Sequence, residues 1–514
     1  MRRELTMRER VLLSVAVLLS LLAMASGAGA QIGYQPDGDS SYSIGAAPKI
    51  SVSFLPFQWY VDSVRGSDAN TGTSAAAPLQ TLAALMGKTI TAGQRVGLKR
   101  GSVWREQLTI PSAGGSLTAP IVYDTYGSGP RPKIIASDVI PGPWAVHAGS
   151  IYVADVVGMW DAGAAWVATS TVLVKAANLA GLTAAGQFFP DIAAAKFYVW
   201  LPDSSDPTGQ TIEAQRRTYG VLCTKRWVWL RNLSVRHANR GISFENGAPI
   251  SQGSYVSDSD VSDCYGQGLY SEIWTLTVQS TVFTGIWNGK VYGAGGGGSA
   301  IRIVGANGLD NIVRYNTVND SYVGIDTTTS KGARVYRNVV LSAKVNGIGA
   351  GSADMADPAL IYHNAIYHNP AWQDGHGIVA QDASGDGVSI KNNLVLVGFT
   401  GVNNNVEAIC FGLATYTTID IDNNLYYLAP GSTADIGKLA ATKYATLALW
   451  KTALGGTTYS GKDVSAVSAD PLVNGPTTLV PLTGSPAINA GAVLAGYNSG
   501  YLGVAPDIGW IEVQ

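Results

Sequence analysis

A repeated pattern between residues 221 and 430 constrains the fold more than any other feature of this chain. Eight times, an Asn or a residue in its place is followed by apolar or β-branched residues, at spacings of 21 to 35 residues. The eight positions are Asn232, Asp260, Thr281, Asn316, Asn338, Asn364, Asn393 and Asn424. Repeats of this period, with short apolar strands joined by Gly and Asn turns, predict a β-solenoid rather than a helical array.

A second mark follows the first and consists of a small residue and then an aliphatic one. The pairs are Gly241-Ile242, Gly268-Leu269, Ala300-Ile301, Gly324-Ile325, Gly347-Ile348, Gly377-Ile378 and Gly401-Val402. Parallel strands of one sheet are almost always joined by right-handed crossovers. We therefore predict an all-β fold, a right-handed parallel β-helix of roughly ten or more turns, or rungs. We expect five Asn residues to stack as an inward ladder at one corner: Asn316, Asn338, Asn364, Asn393 and Asn424.

Composition fits a solenoid and excludes some partners. Only 14% of the 514 residues are charged and the net charge is −2, so the basic stripe of a nucleic-acid-binding protein is missing. Apolar residues make up 46% of the chain, enough to bury a long core and to argue against disorder. Because a solenoid grows by adding rungs, no second globular domain is needed to explain the length.

The N-terminus resembles a secretory signal peptide. A basic start precedes an apolar run over residues 11–25, and Ala28-Gly29-Ala30 follows that run as an A-x-A-like cleavage site. A retained membrane anchor is the alternative, although the run is short for a bilayer span. We expect a mature chain from near Gln31, secreted to an extracellular or periplasmic location, with no membrane contact after cleavage.

The presence or absence of the repeat divides the rest of the chain into segments. Residues 78–87 predict a short amphipathic helix that caps the open end of the solenoid, and residues 434–454 have a helical pattern. The predicted divisions are residues 1–30 as signal peptide, 31–58 as extended leader, 59–140 as N-terminal cap and first rungs, 141–220 as an insertion or side module, 221–430 as regular rungs, and 431–514 as a C-terminal helix with closing strands.

Several segments resemble the secreted right-handed parallel β-helix proteins of the pectate-lyase-like superfamily. They are YVDSVRGSDANTG, PLQTLAAL, GSVWREQLTI, the Asn and Gly-Ile rungs, and the ending DPLVN, GSPAINAG and PDIG, which together span residues 59–511. That superfamily contains lyases, hydrolases, epimerases and non-catalytic proteins. The resemblance therefore implies a fold without choosing an activity.

Alternation along the strands predicts which side chains face outward. Counting from Gly241, Ser243 and Glu245 point out while Ile242 and Phe244 point into the core. The same count places outward Tyr270, Glu272, Arg302, Val304, Asp326, Thr328, Val379, Gln381, Asn403 and Asn405. The candidate catalytic residues Glu245, Glu272, Arg302 and Asp326 would then share one face over four consecutive rungs.

Three interpretations of this cluster remain open. In a glycoside hydrolase, Glu245 and Glu272 would lie near the ~5 Å of a retaining pair, and Glu272 and Asp326 near the ~9.5 Å of an inverting pair. In a uronate lyase or epimerase, the carboxylates would hold Ca²⁺ against a sugar acid while Arg302 takes the proton. In a non-catalytic carbohydrate-binding or cell-surface solenoid, the cluster is a solvated face with an ion pair. We predict a polysaccharide substrate, with Glu272 as the central group and Tyr270 as the floor of a sugar subsite.

Other residues are weaker candidates. The segment Asp-Gly-His-Gly, which contains His376, is similar to the Gly-His-Gly motif of polygalacturonases, where a His assists catalytic carboxylates. The companion motifs are not found in the right order, and a turn His is the alternative. Trp287, Lys290 and Tyr292 lie in a Gly-rich loop that either walls a binding face or is merely flexible. Gln381 and Asn403 complete the predicted substrate-binding set.

The three Cys residues share no position in the repeat, so we expect buried free thiols rather than disulfides or a metal site. Asp62, Asp68 and Asn70 are explained by Asx turns rather than by Ca²⁺. No cofactor is predicted with certainty, and Ca²⁺ is the one considered.

Overall fold

The computed structural model describes residues 56–111, 114–168, 171–245, 253–286, 298–304, 310–351, 358–368, 374–380, 387–401, 405–412, 419–455 and 461–513. Within these residues the chain forms three sheets of parallel strands that it visits in turn, once per rung. The predicted right-handed parallel β-helix is confirmed.

Sheet 1 and sheet 3 have eleven strands each, and sheet 2 has ten. Sheet 1 comprises Trp59–Val61, Arg95–Lys99, Ile121–Tyr126, Val228–Arg231, Tyr255–Ser257, Thr277–Gln279, Ile312–Arg314, Arg334–Tyr336, Ala359–Tyr362, Val388–Lys391 and Ile419–Asp422. Sheet 2 comprises Val103–Trp104, Lys133–Ile135, Ser234–Arg236, Asp260–Ser262, Val282–Ile286, Thr317–Ser321, Val339–Ala343, Ala365–His368, Leu394–Val397 and Leu425–Leu428. Sheet 3 comprises Leu108–Thr109, Tyr219–Cys223, Arg240–Phe244, Gln267–Ser271, Ser299–Ile303, Val323–Thr327, Asn346–Ala350, Asp374–Ala380, Asn405–Phe411, Asp435–Leu439 and Thr442–Tyr444. The last strand of sheet 3 runs antiparallel to its neighbour.

The ladder of five Asn side chains is fully formed. Each amide nitrogen donates to the carbonyl oxygen of the next Asn side chain at 3.0 Å, from Asn316 through Asn338, Asn364 and Asn393 to Asn424. The same nitrogens also donate to backbone carbonyls, for example Asn338 to Val313 at 2.8 Å. All five are buried, and these bonds make a polar column inside the core tolerable.

The first two repeat marks are displaced by one residue from the ladder. The ladder position in those rungs is occupied by Leu233 and Ser259, rather than by Asn232 and Asp260. Ser259 extends the column with its hydroxyl oxygen, which accepts from the Leu233 N–H at 3.2 Å. Asn232 instead adopts a left-handed backbone conformation with φ of 59°, as an Asn in a turn tolerates.

Steric contacts explain why the first residue of the second mark is small. A Cβ added to Gly324 would lie 2.3 Å from the carbonyl oxygen of Gly347, one rung further on. It would also lie 2.6 Å from a methyl group of Val340. The following Ile325 then fills the core, where it is fully buried. Close approach of rung to rung therefore explains the pair.

Residues between the early rungs build a separate eight-stranded sheet, called here the side sheet. In spatial order its strands are Ser137–Val139, Ile212–Gln215, Ala165–Val167, Thr171–Lys175, Gln187–Asp191, Lys196–Trp200, Ile151–Asp155 and Ala145–Ala148. It has its own apolar core, which includes Phe188, Phe197 and Leu173.

A buried polar network links the side sheet to sheet 2. Glu213 accepts from the Ser137 hydroxyl at 2.5 Å, lies 2.8 Å from His237 Nδ1 and forms two bonds with Arg105. The ring of His237 stacks on Trp166 at 4.1 Å. Although burial opposes it, hydrogen bonds from His237, Arg105 and Ser137 hold the pKa of Glu213 well below its usual range. Such a satisfied network positions two sheets and is too enclosed for substrate.

Both helices differ from their predicted bounds. The capping helix is Leu82–Met86 and begins after Thr81, whose hydroxyl accepts from the Ala84 N–H at 3.0 Å. Pro78 precedes it in extended chain, while Leu82 and Leu85 are buried in the main core. A 3₁₀ turn covers Leu179–Gly181.

The prediction of one helix over residues 434–454 was wrong. Its first half forms the hairpin of Asp435–Leu439 and Thr442–Tyr444, and the helix is Leu447–Gly455. The closing strands predicted after it were also wrong. Residues 461–513, which are all described, pair only through isolated bridges such as Val473 with Pro481. Among the described residues, no helix is long and apolar enough to cross a membrane.

Candidate functional site

The outer face of sheet 3 holds the predicted cluster in two adjacent columns. One column contains Ser243, Tyr270, Arg302 and Asp326 on successive rungs, in register. Two residues further along the strands, Glu245 and Glu272 continue the ladder of backbone bonds, because their N–H groups donate to Cys223 and Phe244. The four predicted ionisable residues therefore share one face, with the two Glu residues offset from Arg302 and Asp326.

Glu245 and Glu272 are direct neighbours across two rungs. Neighbouring strands lie about 4.8 Å apart, so the two side chains start from backbones at that separation. Both side chains are partly exposed, as substrate access requires. This is the closest pair of carboxyl residues in the predicted cluster, because Asp326 lies a further rung beyond Arg302.

The two Glu residues have different partners. Glu245 forms an ion pair with Arg240 at 2.7 Å and accepts from the Ser243 hydroxyl at 3.0 Å. Glu272 accepts from the Tyr270 hydroxyl at 2.7 Å. Arg240 links the two arrangements, since its guanidinium also lies over the Tyr270 ring at 3.8 Å. Burial, and then the bond to Glu272, raises the pKa of Tyr270 to about 12, so this hydroxyl remains a donor at neutral pH.

Arg302 and Asp326 form the other end of the cluster. Arg302 Nε lies 3.6 Å from Asp326 Oδ2, and the Thr328 hydroxyl donates to Asp326 at 2.7 Å. The Arg302 side chain is 38% exposed, which leaves much of the guanidinium open to a ligand. Tyr270 lies one rung from Arg302 in the same column.

The acidic residues of this face are spread along it. A Ca²⁺ ion takes about six to eight oxygen ligands from carboxylates, carbonyls and water. Among the described residues, the potential metal ligands that converge are those of His376, Glu407 and Cys410. Asp62 is likewise occupied, since it accepts from the Val64 N–H at 2.9 Å in an Asx turn.

His376 lies on sheet 3, but away from this cluster. It pairs with Asn346 on one side and Glu407 on the other, in a column that begins near Arg240. His376 Nδ1 is 2.7 Å from a carboxylate oxygen of Glu407, which is completely buried. The structure therefore brings together Glu245, Glu272, Tyr270, Arg302 and Asp326, and separates His376 from them.

Sequence reasoning missed Glu407 and Cys410 because one repeat mark was misread. The pair that follows Asn393 in the fold is Ala408-Ile409 rather than Gly401-Val402, since Ile409 pairs with Ile378. The register predicted for Asn405 was therefore wrong. Val379 does share the column of Asp326 but is fully buried rather than exposed. Trp287, Lys290, Tyr292, Gln381 and Asn403 lie outside the described residues.

The three Cys residues are buried and free of disulfides, as predicted. Burial raises the pKa of each thiol to about 12, so the groups are neutral.

Fold and site together define a parallel β-helix protein with an ionisable cluster on the outside of one sheet. The structure is similar to that of XylC in complex with xylose, with a TM-score of 0.51 and 11% identity over 75% of this chain and 86% of that chain. A pectate lyase, Pel9A, matches with a TM-score of 0.46 and 14% identity over 90% and 98% of the two chains. A glycoside hydrolase matches at 0.43 and 11% identity, over 77% and 98%.

At these identities the shared property is the fold. The chain is a right-handed parallel β-helix, so the fold expected from the sequence is confirmed. No protein-family model matches the sequence, and no curated protein matches it significantly.

Proposed function

We propose that this protein is a secreted carbohydrate-active enzyme, a glycoside hydrolase that cleaves a polysaccharide with Glu245 and Glu272. The observation that carries the proposal is the stacking of these two residues on adjacent rungs of an exposed face. Retaining glycosidases hold their two carboxyl groups about 5–5.5 Å apart, close to the spacing of neighbouring strands.

The partners suggest a division of roles. Glu245, whose charge is met by Arg240, is suited to act as the nucleophile that attacks the anomeric carbon. Glu272, oriented by the Tyr270 hydroxyl, is suited to protonate the leaving oxygen and then to take a proton from the water that releases the sugar. Tyr270 is a positioning residue in this scheme, and its ring offers a surface beside the reacting sugar.

The runner-up is a uronate lyase or epimerase, and the exposed guanidinium of Arg302 favours it. In that reaction a sugar carboxylate pairs with Arg302. A base nearby then removes the proton from the sugar carbon that bears the carboxylate. The hydrolase has the stronger support, because Glu245 and Glu272 lie in register on adjacent rungs.

A panel of neutral and acidic polysaccharides separates these functions. A hydrolase gives new reducing ends without absorbance from an unsaturated uronate, and a lyase gives both. An epimerase gives neither, and its product is a polymer with changed uronate configuration. For an active glycan, proton NMR of the first product then reports the anomeric configuration. Retention is expected for Glu245 and Glu272. Inversion would favour the more distant pair of Glu272 and Asp326, and absence of product from every glycan would favour a non-catalytic binding protein.

A further inference from the structure

A second cluster of chemically reactive side chains lies near the C-terminal end of sheet 3. His376 comes from the strand Asp374–Ala380, while Glu407 and Cys410 come from the next strand, Asn405–Phe411. One potential ligand atom from each residue lies within 4.8 Å of the other two. Cys410 shares the column of Arg302 and Asp326, but it lies three rungs beyond Asp326. The cluster is therefore distinct from the proposed catalytic face.

Glu407 is the unusual member. Its side chain has no exposed surface, and neither carboxylate oxygen accepts a hydrogen bond of acceptable geometry. His376 Nδ1 is close, at 2.7 Å, but is not aligned for a bond, and Lys443 Nζ lies 3.7 Å from the other oxygen. A buried carboxylate is costly unless a cation and directed bonds satisfy it. One ammonium group at 3.7 Å meets the charge only in part.

We propose that His376, Glu407 and Cys410 form a binding site for a divalent transition-metal ion, with Zn²⁺ as the best fit. Imidazole nitrogen, carboxylate oxygen and thiolate sulfur are the three ligand types that Zn²⁺ takes in proteins. A mixed set with sulfur disfavours Ca²⁺ and Mg²⁺, which prefer oxygen ligands throughout.

The geometry requires only small movements. Zn²⁺ bonds of about 2.0–2.3 Å place tetrahedral ligand atoms about 3.3–3.8 Å apart. The three atoms lie within 4.8 Å of one another, and His376 Nδ1 is 2.7 Å from a Glu407 oxygen. Side-chain rotations that move these atoms by about an ångström would bring all three to tetrahedral separations. Three protein ligands leave a fourth position for water, as in zinc sites that are open to solvent. His376 retains 11% exposure and provides the route inward.

Charge balance favours the same ion. Zn²⁺ with one carboxylate, one thiolate and a neutral imidazole is neutral overall, and Lys443 would then no longer be needed beside Glu407. Because the thiolate is the ligand, metal binding displaces the proton of the Cys410 thiol. The ion would tie two neighbouring rungs together just before the closing hairpin of sheet 3.

Cobalt binding tests the site without any dependence on the proposed hydrolysis. The full-length mature protein is freed of metal with a chelator and titrated with Co²⁺, then with Zn²⁺. We expect one saturable site per chain, a thiolate-to-cobalt absorption band that Zn²⁺ abolishes, and the release of about one proton per ion. Zn²⁺ should also raise the melting temperature.

Two Cys variants make the assignment specific. Cys410→Ser should remove the thiolate band and weaken Zn²⁺ binding by more than the ~10–100-fold typical of losing a supporting partner of a ligand. Cys264→Ser changes another buried thiol and should leave the thiolate band and the Zn²⁺ affinity unchanged. Absence of saturable binding to the parent protein would overturn the proposal, as would a thiolate band that survives in Cys410→Ser. His376, Glu407 and Lys443 would then form only a buried ion-pair cluster. Because the parent titration needs no variant, a misfolded mutant cannot obscure the result.

Discussion

The Asn ladder places five amide side chains inside the buried core. Asn338, the second of the five, accepts from the backbone N–H and the side chain of Asn316, and donates to Asn364. Asn338→Ala leaves the Asn316 N–H buried without its partner. We expect a loss of about 2–3 kcal/mol in the free energy of unfolding, measured by denaturant titration. Asn319→Ala, at an exposed Asn one rung before Asn338, should change the free energy of unfolding by less than ~0.5 kcal/mol. Equal effects of the two variants would contradict the ladder's role.

Two buried His residues predict acid sensitivity. Burial lowers the pKa of His363 and of His368 from 6.5 to about 3. The unfolded chain therefore takes up these protons first, and stability falls as the pH drops from 6.5 towards 3. Each His should contribute up to about 1.4 kcal/mol per pH unit within this window.

His368→Gln isolates one of these contributions. The difference in unfolding free energy between parent and variant should shrink as the pH falls from 6.5, and denaturant titrations at several pH values measure it. Other buried acids titrate in the same range, including Asp463, whose pKa burial raises to about 6; they are present in both proteins and cancel. A difference that does not vary with pH would show that His368 is not buried as a neutral group.

The cluster was predictable in part, for a reason specific to strands. Alternation of side chains with period two places Glu245, Glu272, Arg302 and Asp326 on the outer face once the Gly-Ile mark is recognised. The same count fails for Glu407, because Gly401-Val402 imitates the mark seven residues before the true pair, Ala408-Ile409. Partners such as Arg240 with Glu245 depend on side-chain conformation and could not be read from spacing.

Neighbouring rungs pack closely because the first residue of the second mark is small. A Cβ at Gly324 would meet backbone at 2.3 Å, and backbone cannot rotate away as a side chain can. Gly324→Ala should therefore cost about 1–3 kcal/mol of unfolding free energy. Gly455→Ala is the matched control, since nothing lies within 4 Å of its added Cβ. If Gly324→Ala melts at the temperature of the parent, rung spacing does not depend on this glycine.

The closing hairpin shows where the pattern of a single element misleads. Residues 434–454 have apolar residues at helical spacing. Ile436 and Leu439 nevertheless lie in the strand Asp435–Leu439 and are buried in the main core. Pairing with Asn405–Phe411 satisfies the backbone of Asp435–Leu439 and outweighs local helical preference. Helical structure begins only at Leu447, beyond the hairpin.

For the molecule as a whole, the repeat was sufficient to predict the architecture. Each Asn mark and each Gly-Ile mark reports one rung, so the parallel stacking followed from period alone. The eight-stranded side sheet has no period, and its anchorage joins residues distant in sequence, such as Arg105 with Glu213 and Ser137 with His237. Long-range polar networks of this kind leave no local pattern.

Turnover by Glu272→Gln tests the proposed catalytic face most directly. The substitution keeps the shape of the side chain and removes its ionisation. On the best polysaccharide of the panel, the rate should fall by about 10²-fold or more relative to the parent, with an unchanged melting temperature. Asp155→Asn, which alters an exposed ion pair with Lys196 on the side sheet, should keep the parent rate. A Glu272→Gln rate within a few-fold of the parent would contradict the assignment and place the chemistry elsewhere on the molecule.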